Sequence, residues 1–424
     1  MIIKNVSFIN PETKTILVCD IVIKDGRIAS FATPNTAVDE EGDYTIDATG
    51  LYAAPGFIDI HSHFRDPGFT HKEDIISGAM AAKRGGYTDI VLMANTSPAV
   101  DNEKTLGYVY NQGLSTGIHI RSCATVTKGL KGEELVDFDL LKKHGAVGFT
   151  DDGIPIMNED LLRKAMGKCK ELDVPISLHE EDKALISQNG INSGAISSRY
   201  GIKGAPREAE ISLVKRDIEI AKETGVKLDI QHVSAKETVD LIRKARAEGY
   251  TNIYGEATPH HFSLTEDAII EHGSNAKMNP PLRTEEDRLA IIEGLHDGTL
   301  SFIATDHAPH AKEEKERSLT EAPSGIIGLE TAFSLGLEKL VIDADLSIYD
   351  LINLMSVNPR KLYNLDIPAT REWSPADIVI FSMSEKWVYD KTLSRSFNTP
   401  FAGRTMTGKI KYTICGGRKV YEDA

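Results

Sequence analysis

The sequence predicts an α/β protein, a (β/α)8 TIM barrel with a small β-sandwich domain formed by the N- and C-terminal segments. Three observations carry this reading. Eight short apolar runs alternate with amphipathic stretches from Pro55-Gly56 to about Asn364, the rhythm of strand–helix units that close into a barrel. The segments before and after that region have strand character without a helical period. Polar, chemistry-bearing residues fall at the C-terminal ends of run after run, the end where such a barrel carries its active site. The expected division is 1–55 plus 365–424 for the small β domain and 56–364 for the barrel.

The elements follow in order. IIKNVSFIN and ILVCDIVIKDGRIASF are β-rich runs with a turn at Asp25-Gly26, a dipeptide suited to a two-residue hairpin. The eight barrel runs are GFIDIHSH, DIVLMANT, GIHIRSCATV, AVGFTDD, VPISLHEE, KLDIQHVS, NIYGEATPHH and LSFIATDHAPH. Between them lie ISGAMAAKRGG, EDLLRKAMGKCKELD and REAEISLVKRDIEIAKETG. Several such stretches end in Gly, as helix C-termini do. The stretch from Glu180 to Pro206, rich in Gly, Ser and Asn, is long for a βα connection and reads as a functional loop. The polar segment 311–324 is a second loop candidate. ADIVIF and KIKYTICGGRKVY return to strand character and are expected to pair with the first segment.

The 424 residues carry 48 Lys+Arg against 63 Asp+Glu, a net charge of −15. An acidic balance without a basic run argues against nucleic-acid and anionic-membrane binding. No apolar run approaches the ~18 residues of a membrane span. MIIKNVSFIN reads as a first strand rather than a signal peptide. Cys19, Cys123, Cys169 and Cys415 lie far apart with no C-x-x-C. That spacing speaks against a disulfide scaffold and a thiolate zinc site, and fits a reducing cytoplasm.

His61-Ser-His63 has the strand period of two, so both rings are expected on one face, toward the barrel axis. Two imidazoles suit Zn²⁺ or a similar metal. One H-x-H alone is more often a pair of core histidines. His179, His232 and Asp306 at three further strand ends shift the balance, since a divalent metal makes such buried groups tolerable. In Asp151-Asp152-Gly153 at most one carboxylate points inward unless the strand has ended; a plain turn competes with a carboxylate shared between metals. Arg65 and Asn95 close the first and second runs. A guanidinium fork matches a carboxylate, with a salt bridge to Asp66 or a neighbour as the equal alternative. His310 adds a third donor, and the set implies an anionic substrate. Asn279, in KMNPPLR, reads more simply as a turn residue. Glu256 and His260-His261 are candidate supporting partners. Glu180-Glu181-Asp182 reads as a solvated or helix-starting acidic patch.

Taken together, H-S-H-F-R-D-P-G, L-M-A-N-T, F-T-D-D-G, SLHEED, IQHVS, K-M-N-P-P-L-R, A-T-D-H-A-P-H and G-L-E-T-A-F resemble the dihydroorotase family, in its longer bacterial class within the amidohydrolase superfamily. The resemblance spans essentially the whole chain. It implies a metal-dependent cyclic amidohydrolase that interconverts N-carbamoyl-L-aspartate and L-dihydroorotate in pyrimidine synthesis, through a zinc-activated hydroxide and an Asp acid/base. By motif position His61 and His63 match ligands of a first metal, and Asp152 matches the acid shared between metals. His179 and His232 match ligands of a second metal. Asp306 matches the catalytic acid/base, also at the metal. Arg65, Asn95 and His310, with His63 alongside, match groups holding substrate. Asn279 matches a contact to the ring or carbamoyl part, and Ser324-Gly325 a backbone contact, with Ser where the family pattern has Phe. Many relatives bridge two metals with a carboxylated Lys; no Lys stands at the end of the fourth run here. One or two Zn²⁺ per subunit, a small-molecule substrate, a homodimer, possible association with a transcarbamoylase and a cytoplasmic location complete the expectation. A hydantoinase, a mononuclear deaminase and a non-catalytic subunit are the alternatives.

Overall fold

The computed structural model describes residues 1–38 and 44–423; residues 39–43 and 424, inside the expected terminal unit, lie outside the described residues. Five strands come first: β1 (Ile2–Asn10), β2 (Thr15–Lys24), β3 (Arg27–Ala32), β4 (Thr45–Asp47) and β5 (Tyr52–Pro55). The β2–β3 hairpin turns at Asp25 and Gly26, with φ of 50° and 73°, the left-handed geometry that a two-residue turn needs.

The barrel follows, with β6 (Phe57–Ser62), β7 (Tyr87–Leu92), β8 (His119–Ser122), β9 (Ile176–Leu178), β10 (Leu228–Ile230), β11 (Ile253–Ala257) and β12 (Phe302–Ile303). β6–β7–β8 and β9–β10–β11–β12 pair in parallel. The fourth run, AVGFTDD, is not a regular strand. Phe149 alone bridges Ala124 on one side and Ile176 on the other. The run ends early because the Asp151 carboxylate turns back to accept from the Val126 and Thr127 amides, at 2.7 and 3.1 Å. A bridge from Ser62 to His307 closes the ring. The expected helices form over Ile75–Arg84, Glu159–Glu171 and Glu208–Thr224. Asp74 caps the first, and Gly225, at φ 70°, ends the last.

Ile58, Ile60, Val91, Met93, Cys123, Phe302 and Ala304 fill the barrel interior, closed by Leu362 and Tyr363. Strict alternation from Ile58 and Ile60 would send His61 outward. The β6–β7 register shifts between Asp59 and Ser62, and that irregularity turns His61 back toward the axis.

The remaining strands are β13 (Ile378–Val388), β14 (Thr405–Cys415) and β15 (Arg418–Glu422). They join the first five in one eight-stranded sheet, ordered β15-β14-β13-β5-β1-β2-β3 with β4 on β1. The period of two divides its faces. Phe8, Ala53, Ile378 and Ile380 close over the sheet's own core, with Ile3, Val6 and Ile21. Their neighbours Ile9, Ala54, Val379 and Phe381 pack on the barrel's core. Between β13 and β14 the chain leaves the sheet and crosses to the C-terminal rim of the barrel. There the Arg395 amide donates to Glu73 at 3.0 Å, and Asn398 reaches Ala308 and Gly325. No helix among the described residues is long and apolar enough to cross a membrane.

Candidate metal centre and active site

His61, His63, Asp152, His179, His232 and Asp306, drawn from five barrel segments, are brought together at the C-terminal rim, all of them buried. His61, Asp152 and His232 place one donor atom each within 4.8 Å of one another, and so do His61, His63 and Asp306. His61 Nε2 stands 3.5 Å from Asp152 and 3.6 Å from Asp306. His63 Nε2 is 3.1 Å from Asp306 Oδ1 and 3.5 Å from Asp152 Oδ2. His179 Nδ1 lies 2.9 Å from His232 Nε2 and 3.7 Å from Asp152 Oδ1. Because Asp151 turns away to the Val126 and Thr127 amides, Asp152 alone of that pair faces the cluster.

The His61 and His179 rings are oriented from behind. Glu256 Oε2 lies 2.9 Å from His61 Nδ1 and also accepts from the His232 amide at 3.2 Å. Glu181 Oε2 lies 2.9 Å from His179 Nε2. These carboxylate–imidazole pairs fix tautomer and orientation in the way metal-ligating histidines require. Glu181 corrects the sequence reading of a solvated patch: Glu180 and Glu181 are each 2% exposed. The strand period from His179 to Glu181 was the signal that could have found it.

The electrostatics fit a cation. Burial works against charge on His61, but Glu256 and Asp152 hold its pKa well above the ordinary range. Burial, His179 and His61 push His232 well below it. Burial would raise the Asp152 carboxyl, yet the nearness of His61 and the charges of His61, His63 and His179 carry it well below the usual range. The buried carboxylates thus draw positive charge onto His61 and His179 but not onto His232. His61 Nε2, buried and without a hydrogen-bond partner among the described residues, is a free donor at the centre of the group. An imidazole-rich set with carboxylates suits zinc or a similar divalent ion.

The other predicted residues fall beside the cluster, with differences. The Arg65 Nε donates to Pro309 O at 3.2 Å. Asp66 is engaged by Tyr108 Oη at 2.9 Å rather than by Arg65. Burial lowers the Arg65 pKa against the pull of Asp306, Asp152 and Glu314. Asn95, expected as a neutral donor to substrate, spends its amide on the cluster itself: Oδ1 lies 3.0 Å from His63 Nδ1, and Nδ2 donates to Asp152 Oδ2 at 2.8 Å. His310 Nε2 is 2.8 Å from Ser324 O, and its pKa is pushed down to about 2 by burial, then by Arg65, Lys315 and Lys72. The ring is neutral at an electropositive end of the site. Asn279 Oδ1 is buried without a partner among the described residues. The Gly325 amide donates to Lys277 O at 2.8 Å. At φ 111°, with Ala308 Cβ 2.7 Å from where a Cβ would sit, residue 325 is restricted to glycine.

Sequence reasoning missed what holds this rim. Lys315 Nζ donates to Pro323 O and Gly325 O at 2.9 and 3.0 Å, and Lys277 Nζ to Ala322 O at 2.6 Å. Asn398 accepts from the His310 amide at 3.1 Å and donates to Ala308 O and Gly325 O at 3.0 and 3.1 Å. Nothing in the local sequence around Asn398 marks it.

A family model described as Dihydro-orotase-like matches residues 50–238. The chain is 50% identical over 423 residues to the dihydroorotase of Clostridioides difficile (strain 630), covering 99% of each chain. It is 49% identical to that of Clostridium acetobutylicum, covering 100% of each. Among solved structures, an L-hydantoinase (dihydropyrimidinase) from Arthrobacter aurescens superposes with a TM-score of 0.88 at 24% identity, over 99% of this chain and 96% of that one. A D-hydantoinase gives 0.86 at 23%, over 100% and 95%. These two likenesses bear on the fold alone. The near-complete coverage at half identity, on top of the convergent histidines and carboxylates, places the chain in the dihydroorotase family.

Proposed function

We propose that this chain interconverts L-dihydroorotate and N-carbamoyl-L-aspartate in pyrimidine biosynthesis, with its chemistry in the 56–364 barrel. The observation that carries the proposal is the meeting of His61, His63, Asp152, His179, His232 and Asp306 at one rim, with Arg65 and His310 beside it. One or two zinc ions, held by His61, His63, Asp152, His179 and His232, supply when bound a Lewis acid that acidifies water and polarises a carbonyl.

The chain's own residues do the rest. Asp306, within 3.1 Å of His63 Nε2, accepts a proton from the attacking water and passes it to the ring nitrogen as the ring C–N bond breaks. In the synthetic direction Asp306 takes the proton from the carbamoyl nitrogen, which attacks the side-chain carboxyl, and water leaves. Its backbone, at φ 47°, is held in the left-handed region, a strained placement of the kind found where a side chain must be aimed. Arg65 takes the substrate carboxylate through its guanidinium fork. His310 sits at the same end; its neutral ring donates through Nε2 and would exchange Ser324 O for a substrate oxygen. Asn279 Oδ1, an acceptor without a partner, suits a carbamoyl or ring N–H. Asn95 acts through His63 and Asp152 and leaves the carboxylate to Arg65. Condensation consumes a proton, so lower pH favours the ring.

A homodimer is the default for such a barrel. A reducing cytoplasm accords with four buried free cysteines. Light scattering tests the first, and co-elution with a transcarbamoylase tests that association. The experiment on the function itself is dihydroorotate hydrolysis by the purified protein, before and after chelation, with zinc restored. Activity that disappears and returns with zinc is the expected result. No hydrolysis with zinc restored overturns the proposal.

A further inference from the structure

A second donor cluster lies at the opposite, N-terminal end of the barrel. His119 is the first residue of β8, Asp377 immediately precedes β13, and Cys415 is the last residue of β14. One donor atom from each lies within 4.8 Å of the others. His119 Nε2 is 3.2 Å from Asp377 Oδ2. The Gly416 amide donates to Asp377 Oδ1 at 2.6 Å, which fixes the carboxylate and directs Oδ2 at the imidazole. Asp377 and Cys415 are buried, whereas the His119 side chain is 44% exposed. It opens on a cavity of about 570 Å³ between the barrel and the terminal sheet, which Arg121 and Arg418 also line.

The surrounding charges leave Asp377 to the cluster. Arg121 and Arg360 both pair with Asp89, at 2.8 and 2.7 Å, and so do not neutralise it. Imidazole, carboxylate and thiolate form a mixed set that selects a borderline ion, and water in the cavity can supply a fourth ligand. We infer that His119, Asp377 and Cys415 bind a zinc-like divalent cation that ties the foot of the barrel to the terminal sheet. The location supports a structural ion, since that face of such a barrel serves stability rather than catalysis. The wide spacing of the cysteines argues against a site of neighbouring thiolates; here folding supplies one thiolate and two other donors from distant segments. Burial, then the charges of Asp377 and Asp89, push the Cys415 thiol pKa up.

The catalytic donors include no sulfur, so a spectrum separates the two sites. Full-length protein stripped by a chelator and reloaded with Co²⁺ should show a near-ultraviolet thiolate-to-cobalt charge-transfer band. That band should be lost in both Cys415→Ser and His119→Gln, while dihydroorotate turnover of the two variants stays at the parent level. No such band at saturating Co²⁺, or one that persists in Cys415→Ser, overturns the inference. Should Cys415→Ser fail to fold, the half-exposed His119→Gln decides: an undiminished band there also overturns it.

Discussion

Asp306, the proposed acid/base, contacts the cluster through His63 and lies on the rim. Asp306→Asn should keep its metal, measured by elemental analysis, and lose roughly 100- to 10,000-fold in turnover; near-parental turnover would remove it from the role. In the proposed reading Arg65 separates this chemistry from that of a hydantoinase, whose ring lacks the carboxylate. Arg65→Met should therefore raise KM for dihydroorotate sharply and leave metal content alone, and unchanged kinetics would discard the carboxylate clamp. Glu181 touches His179, so its effect should travel through the metal. Glu181→Gln is expected to weaken zinc affinity about 10- to 100-fold, read by competition with a chromogenic chelator, with activity recovering in excess zinc.

At the scale of elements, the two loop candidates meet. Gln188 Nε2 donates to Thr320 O at 3.0 Å, and Gly190 packs so closely on Ser324 and Lys277 that it has no room for a Cβ. A small residue at 324 suits that contact, which gives the departure from Phe a local reason. The segment 322–325 has no ladder of its own, and its carbonyls depend on Lys277, Lys315, His310 and Asn398. Burial, helped by Lys277, lowers the Lys315 pKa from its ordinary 10.5 to about 7. Between those values the unfolded chain holds a proton that the folded chain has released, so this group makes stability rise with pH across that window. Urea denaturation at pH about 6 and about 10 should show the parent gaining on Lys315→Met at the higher pH. An equal difference at both would show that Lys315 does not titrate there.

At the scale of the molecule, the barrel foot is held by a buried guanidinium. Arg360, 1% exposed, donates to Gly56 O and Asp89 Oδ2, each at 2.7 Å, and to Thr88 Oγ1 at 3.1 Å. It ties the helix Asn358–Leu362 to the start of the barrel. Removing one partner of a buried pair leaves the other charge uncompensated, at about 3–5 kcal/mol. Arg121 still faces Asp89, so Arg360→Met should cost about 3 kcal/mol, the low end of that range. Denaturant midpoints measure it, and a loss within the scatter of surface substitutions would contradict this account.

What the sequence determined by itself were the features written in local period and spacing. Alternating runs fixed the barrel, the Asp25-Gly26 turn fixed a hairpin, and histidines at successive strand ends marked the rim, because side-chain direction follows backbone period. Tertiary structure decided what depends on register and on partners far along the chain. His61 faces inward only through a shift in β6–β7 pairing. Asp151 and Asp152 divide their roles only once the Val126 and Thr127 amides are in place to take the first. Asn95 meets His63 and Asp152, and Asn398 reaches the rim across 90 residues of chain. A period of two says which residues share a face; it carries no record of the partner that folding brings opposite, and for polar groups that partner decides the role.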